Sequence, residues 1–303
     1  MSTAILVLSV DEAPLLTHCL PAAVGQPDAF VVVVDNACED ASAAVAREHG
    51  AGVVSLGERR SYAAAMNAGF AALGDADAVL LLNADCFLDP GYLAAALPRL
   101  REPGVASVAG KLLRVAGPHA APDAIDAAGM WIDRRRKNGL VGHGTPLPSH
   151  ARRCEVFGAD GACALYSREA LDACAPEVFD EDMGLWVTDA DLAWRVRRAG
   201  WRSVYEPAAT ARHMRTYSPS TRAATSEAHR RLQFRNRYLL MARNESAGTF
   251  AANLPSILAY ELLALGHVAL RERFLARGYL EAWRLAPAVR AKRSRDLTSA
   301  AAA

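Results

Sequence analysis

The sequence predicts an α/β fold: a mostly parallel central sheet with helices on both faces, followed by a C-terminal helical extension. Three observations carry this. Short β-rich runs alternate with longer segments of helical spacing through the first hundred residues or so. Those runs are apolar at successive positions instead of alternating, as strands covered on both faces are. Past residue 220 the strand signal stops and only helix-length patterns continue.

The elements follow in order. Ala4–Val10 reads as the first strand, Phe30–Asp35 with its four consecutive valines as the second, Gly52–Leu56 as the third and Ala78–Asn83 as the fourth. Helices are expected over Pro14–Val24, Asp40–His49, Ser61–Leu73 and Pro90–Leu100. Asp40 suits an N-cap, and Pro90 has the pre-set φ of a first turn. Residues 103–160 hold more Gly, Pro and charge and few clean periods. Within them Arg134-Arg135-Arg136-Lys137 precedes Asn-Gly, which suits either a solvated turn between strands or a contact for phosphate or an anionic acceptor. Asp189–Gly200 reads as a helix, with Arg195, Arg197 and Arg198 near the negative end of its dipole and Gly200 as a stop. Residues 202–214 read as one or two strands, and 223–245, 250–273 and 278–293 as three helices. The chain thus divides into a body over 1–221, with halves meeting near 102, and an extension over 222–303.

Length and charge set limits. The chain's 303 residues suffice for one large domain with an appendage. Residues 1–221 carry 20 Lys/Arg against 27 Asp/Glu, a net −7, while 222–303 carry 14 against 6, a net +8. A basic tail on an acidic body is expected to meet something anionic. None of the six cysteines forms a C-x-x-C pair, so they read as reduced core thiols of a cytosolic protein, not as a zinc site. The N-terminal residues lack the basic region of a secretory signal. Asn253, Pro255, Glu261 and His267 interrupt the apolar stretch Phe250–Leu270, so a membrane span is not expected there.

Two strand ends carry polar groups where open α/β sheets bind ligands: Asp35-Asn36 after the second strand and Asn83-Ala84-Asp85 after the fourth. Each alone is as readily a cap or turn former. Two in one sheet favour a shared pocket.

The ordered set of motifs resembles family 2 glycosyltransferases of the GT-A fold, a Rossmann-like architecture. Val31-Val32-Val33-Val34-Asp35-Asn36 resembles that family's nucleotide-binding strand end, and Ser61 to Gly69 its donor-side helix. Leu80-Leu81-Leu82-Asn83-Ala84-Asp85 is similar to its metal motif, in the N-x-D form of rhamnosyltransferase-like members. Gly158-Ala159-Asp160-Gly161-Ala162 resembles the acceptor-side segment, and Thr188-Asp189-Ala190-Asp191-Leu192-Ala193-Trp194-Arg195 the catalytic element, with His213 at the usual spacing. The match covers roughly residues 3–215.

The resemblance implies an inverting enzyme that moves a sugar from a nucleoside diphosphate to an acceptor hydroxyl. It implies Asp189 as the base, Asp85 and His213 as ligands of Mn²⁺ or Mg²⁺, and Asp35, Asn36, Arg60, Asn67, Asn83 and Asp85 as donor contacts. Gly158, Asp160, Gly161, Asp191 and Arg195 would shape the acceptor side, Asp191 through an i,i+4 pair with Arg195. Arg59 or Arg60 suits a base or phosphate contact, or a solvated pair. A UDP- or dTDP-type donor and a lipid-linked or cell-surface glycan acceptor are the expected partners, with no nucleic acid. The basic amphipathic helix near 250–273 suits either peripheral attachment to the cytoplasmic leaflet or packing on the body.

Two positions depart from the family pattern: Thr188 stands where Glu is usual, and Gly184 where an aromatic is. Loss of the Glu is expected to lower the Asp189 pKa, and both leave open a catalytically impaired sugar-nucleotide-binding module. A nucleotidyltransferase would need a Gly-rich basic loop after the first strand, where Ser9 to Pro14 offers none, and no G-x-G-x-x-G supports a nicotinamide enzyme.

Overall fold

The computed structural model describes residues 1–215 and 221–302, with residues 297–302 described by their backbone alone. Four parallel strands, β1 (Thr3–Ser9), β2 (Ala29–Asp35), β3 (Gly52–Ser55) and β4 (Ala78–Asn83), lie in the order β4-β1-β2-β3. The crossovers are α1 (Ala13–Val24), α2 (Ser42–Glu48) and α3 (Tyr62–Ala71). Along β1, Ile5 and Val7 join the core beneath α1 and α2, while Ala4 and Leu6 join the core beneath α3. Period-2 side chains therefore fill both faces, which is why the strands are apolar throughout.

The chain then runs through β5 (Cys86–Leu88), α4 (Tyr92–Leu100), β6 (Val105–Arg114), β7 (Ala124–Ala127), β8 (Met130–Ile132), β9 (Asn138–Leu140), β10 (Cys154–Val156), β11 (Cys163–Ser167), α5 (Arg168–Asp172), α6 (Thr188–Arg198) and β12 (Arg202–His213). β11 enters antiparallel between β4 and β6, and β12 pairs parallel with β6. Residues 202–214 thus form one strand, interrupted by a register shift between Glu206 and Thr210. The Arg134–Lys137 run is the turn between β8 and β9, but Arg136 is buried there against Glu245.

Two caps differ from expectation. α2 starts at Ser42, and Asp40 lies outside it; its Oδ1 accepts from Ser42 N at 2.9 Å and its Oδ2 from Ala13 N at 2.8 Å, so it also serves the start of α1. α4 begins at Tyr92 after a left-handed Gly91, leaving Pro90 outside the helix. Among the cysteines, Cys154 is exposed and Cys38 half-buried; the other four are buried, and all six are free.

The extension is α7 (Glu227–Asn244), α8 (Ala247–Leu270) and α9 (Ala276–Ala302). Leu239 and Leu240 of α7 and Ala282 and Val289 of α9 share one apolar cluster with Met183 and Ala190 of the body. Part of the basic tail meets the acidic body: Lys292 Nζ lies 2.6 Å from Asp180 and 2.8 Å from both Glu177 and Asp182. α7 and α9 therefore pack on the body. α8 spans the stretch Phe250–Leu270; despite its polar interruptions, it is by length and composition apolar enough to cross a membrane, at a mean hydropathy of 1.3.

Candidate active site

The strand register brings the two polar strand ends together. Ser9 of β1 lies opposite Asp35, and Leu8 opposite Asn83, so the ends of β2 and β4 flank β1 at one sheet edge. The Asp35 carboxylate accepts from Cys38 N at 2.8 Å and from the Ser55 hydroxyl at 3.1 Å. Two oxygens offer about four acceptor sites, so capacity remains for a base N–H. Asn36 is buried and grips the Arg60 backbone at both groups, 2.8 Å to N and 3.0 Å to O. Its amide therefore holds the loop. Arg60 itself pairs with Glu58 at 3.2 Å and Arg59 with Asp11 at 2.6 Å, both at the exposed rim.

Beyond Asn83 the chain turns into β5, which pairs with the end of β12, Cys86 opposite His213. That pairing sets His213 Nε2 3.2 Å from Asp85 Oδ1. The other ring nitrogen, Nδ1, lies 2.8 Å from Asp126 Oδ2 on β7. Burial pulls the His213 pKa down, but its bonds to Asp126 and Asp85 prevail and raise it to about 9. Asp126 is itself buried, which works against its charge; His143, His213 and Arg215 outweigh that and hold it well below the usual carboxylate range. Arg215 reaches from Asp126 (2.7 Å) to Asp160 Oδ2 (2.6 Å).

Asp160 leads to α6. It accepts from Ala162 N at 2.7 Å, while the neighbouring Gly161 N points to Asp189 Oδ2 at 3.4 Å. Asp189 sits in the first turn of α6, after a left-handed Val187, and not at the N-cap. Its Oδ1 accepts from Ala190 N at 2.8 Å. Burial, then the charge of Asp160, pushes its pKa up to about 6 against those two backbone bonds. The expected lowering from Thr188 is therefore outweighed by desolvation. Gly158 and Gly161 mark where the loop meets α6. A Cβ at Gly158 would come within 2.4 Å of Ala193 Cβ, and one at Gly161 within 3.3 Å of Asp189 Cβ.

The remaining residues hold the segment before α6. Asp191 and Arg195 pair at 2.8 Å, both buried, and Arg195 donates to the carbonyls of Glu177 and Val178. Asn67 clasps Phe179, donating to its carbonyl and accepting from its N–H, both at 2.9 Å. That amide is engaged on protein backbone. Gly184 is left-handed at φ 69, and its carbonyl accepts from Ala63 N of the donor-side helix at 2.9 Å.

Five participants escaped sequence reasoning. Asp126 comes from the stretch without clean periods, and Arg215 from just past β12. Asn236 of α7 donates to the carbonyls of Met183, Leu185 and Trp186, and Asn244 to Asp191 Oδ1 at 2.7 Å. Glu12, beside the start of α1, has its pKa raised to about 7, by burial first and then by Asp85 and Asp40. Its place right after the first strand was the available signal.

The donor set suits a divalent cation. A carboxylate oxygen and an imidazole nitrogen meet where β5 pairs with the end of β12, a pairing that Mn²⁺ accepts readily. Asp126 fixes the imidazole from behind, as partners of metal-bound histidines do.

Comparison with known proteins identifies the family. Residues 2–238 match the family described as Glycosyltransferase like family 2. The N-acetylglucosaminyl-diphospho-decaprenol L-rhamnosyltransferase of Mycobacterium tuberculosis is 26% identical over 271 residues, covering 80% of this chain and 83% of that protein. Among solved structures, S. aureus TarS 1-349 in complex with UDP-GlcNAc superposes at TM-score 0.64 with 13% identity, covering 99% of this chain and 89% of that one. The mannosyltransferase PcManGT of Pyrobaculum calidifontis, in complex with GDP-Man and Mn²⁺, gives TM-score 0.56 with 20% identity, over 95% and 86%. The family match over residues 2–238, with the superposition on glycosyltransferase structures over nearly the whole chain, makes this protein a family 2 glycosyltransferase with a GT-A type fold.

Proposed function

We propose that this glycosyltransferase moves a sugar from a nucleoside-diphosphate donor to an acceptor hydroxyl with inversion, by direct displacement assisted by a divalent cation. One observation carries the reading: an unbroken run of contacts links Asp85, His213, Asp126, Arg215 and Asp160, and ends at the segment that holds Asp189. That run supports reading the groups that would hold a diphosphate and the group that would take a proton as parts of one site.

Asp85 and His213 would hold Mn²⁺ or Mg²⁺, whose charge stabilises the departing diphosphate. Asp35 would accept an N–H of the base, with Arg60 at the rim beside it. Asn36, Asn67 and Arg195 position the loops around these groups. Asp189 removes the proton of the attacking hydroxyl. A carboxyl with a pKa of about 6 is ionised at neutral pH yet basic enough for that work.

The mycobacterial relative's name supports a rhamnosyl donor and a lipid-linked acceptor; the proposed donor nucleotide is dTDP or UDP, and the proposed role is in building a cell-wall or surface glycan at the cytoplasmic face of the membrane. A screen of dTDP-, UDP- and GDP-sugars with Mn²⁺ and an N-acetylglucosaminyl-diphospho-polyprenol acceptor tests this. Transfer with inverted anomeric configuration, abolished by a chelator, is expected. A retained configuration, or full activity in excess chelator, contradicts it.

A further inference from the structure

We propose that the outward face of α8 is the surface on which this protein lies on an anionic lipid bilayer. The proposal deepens the reading of a lipid-linked acceptor and rests on it for its purpose; the vesicles that test it carry no acceptor.

α8 is apolar on both sides. Ile257, Ala264 and Val268 are buried, on the side where Glu261 meets Arg237 and Tyr238 of α7. At about 100° per residue, Leu262, Leu263 and Leu270 fall on the opposite side, with Leu258 and Leu265 on one flank. Leu258, Leu262, Leu263, Leu265 and Leu270 are 54%, 72%, 74%, 53% and 82% exposed. Such a cluster of exposed leucines on one helix face marks an interaction surface.

Charge says which kind of surface. Arg271, Arg273 and Arg277 follow the last of these leucines and are exposed. Much of the tail's cationic excess is not consumed by the body: Lys292 and Arg243 meet Asp180, whereas these three arginines face outward. Apolar side chains bordered by arginine fit the headgroup boundary of a negatively charged leaflet.

Anchors along its length argue that α8 lies on the bilayer and does not cross it. Midway, Glu261 accepts from Arg237 at 2.5 Å and from the Tyr238 hydroxyl at 2.7 Å. Before its first turn, Glu245 pairs with Arg136. Just past its last turn, Glu272 binds Arg222 at 2.7 Å. Spanning would pull Glu245, Glu261 and Glu272 away from Arg136, Arg237 and Arg222, while lying flat leaves these pairs intact and puts the leucines into the interface.

The test is co-sedimentation of the full chain with vesicles of phosphatidylcholine alone or mixed with phosphatidylglycerol. Binding to the anionic vesicles, weakened by salt, is expected. Leu262→Glu combined with Leu263→Glu should reduce it about tenfold or more, and Arg271→Glu with Arg277→Glu should remove the preference for anionic lipid. Both pairs are exposed, so the fold is kept, as circular dichroism checks. Failure of the full chain to bind, or leucine variants that bind as well as wild type, overturns the proposal. So does a dimer in lipid-free solution that the leucine variant dissolves, which would make a second copy the occupant, or vesicle-bound protein that resists alkaline carbonate, which would mean a span. Vesicle binding together with no transfer in the separate screen with a lipid-linked acceptor would count against the acceptor reading alone.

Discussion

The side-chain amide of Asn236 on α7 donates to the carbonyl of Trp186 at 2.8 Å, two residues before α6 begins. The same amide serves Met183 at 2.9 Å and Leu185 at 2.8 Å. The turn it holds is strained: Trp186 and Val187 have φ of 70° and 65°, conformations that cost a non-glycine residue about 1–2 kcal/mol each. An amide in the C-terminal extension thus sets the path of the chain into Asp189.

Removing that amide should therefore hurt catalysis more than donor binding. Asn236→Ala leaves buried carbonyls without their donor, a loss of about 1–3 kcal/mol readable as a lower urea midpoint. Its kcat should fall while the donor Kd stays within about twofold. Asn236→Asp, which cannot donate, should behave the same way. A folded Asn236→Ala enzyme with normal kcat would sever the link between α7 and the base.

Asp126 is expected to act through His213. Asp126→Asn and His213→Ala should both raise the Mn²⁺ concentration needed for half-maximal activity, by about 10–100-fold. Mn²⁺ binding followed by electron paramagnetic resonance, without donor, gives the same comparison independently of turnover. An unchanged Mn²⁺ affinity in both variants would return His213 to a packing role.

The pH profile of kcat should show an acid limb near the Asp189 value of about 6, with activity rising as the carboxyl ionises. Asp160→Asn removes a negative neighbour and should move that limb to lower pH. The effect on stability has the opposite sense. A folded pKa raised from 3.8 to about 6 favours the native state fully below the lower value, and that contribution is lost as pH rises through about 6. A limb that Asp160→Asn leaves in place would mean another group titrates.

Gly158→Ala tests the approach of the acceptor-side loop to α6. The new methyl would sit 2.4 Å from Ala193 Cβ, so the helix or the loop must shift. A loss of about 1–3 kcal/mol is expected, with kcat reduced as well. Ala193→Gly in the same chain should restore part of both.

Local patterns revealed much of this molecule. β4 runs Ala78–Asn83 as read from its apolar residues, and the other three parallel strands agree within a residue or so. Asp85, His213, Asp160 and Asp189 were legible because their motifs stand in a recognisable order. Asp126 was not: it is one of many acidic residues in a stretch without periodicity, and its partner His213 lies 87 positions away. The left-handed turn at Trp186 and Val187 has no local cause in those side chains; α7 imposes it. The two-sided apolar character of α8 was visible as hydrophobicity, but which leucines face outward depends on where α7 lies.

The most direct measurement is single-turnover transfer with donor pre-bound, comparing wild type with Asp189→Asn while donor affinity is followed by calorimetry. Loss of the base should slow the chemical step about 10²–10⁴-fold with the donor Kd nearly unchanged. Collapse of donor binding with chemistry preserved would place Asp189 on the donor and contradict its role as the base.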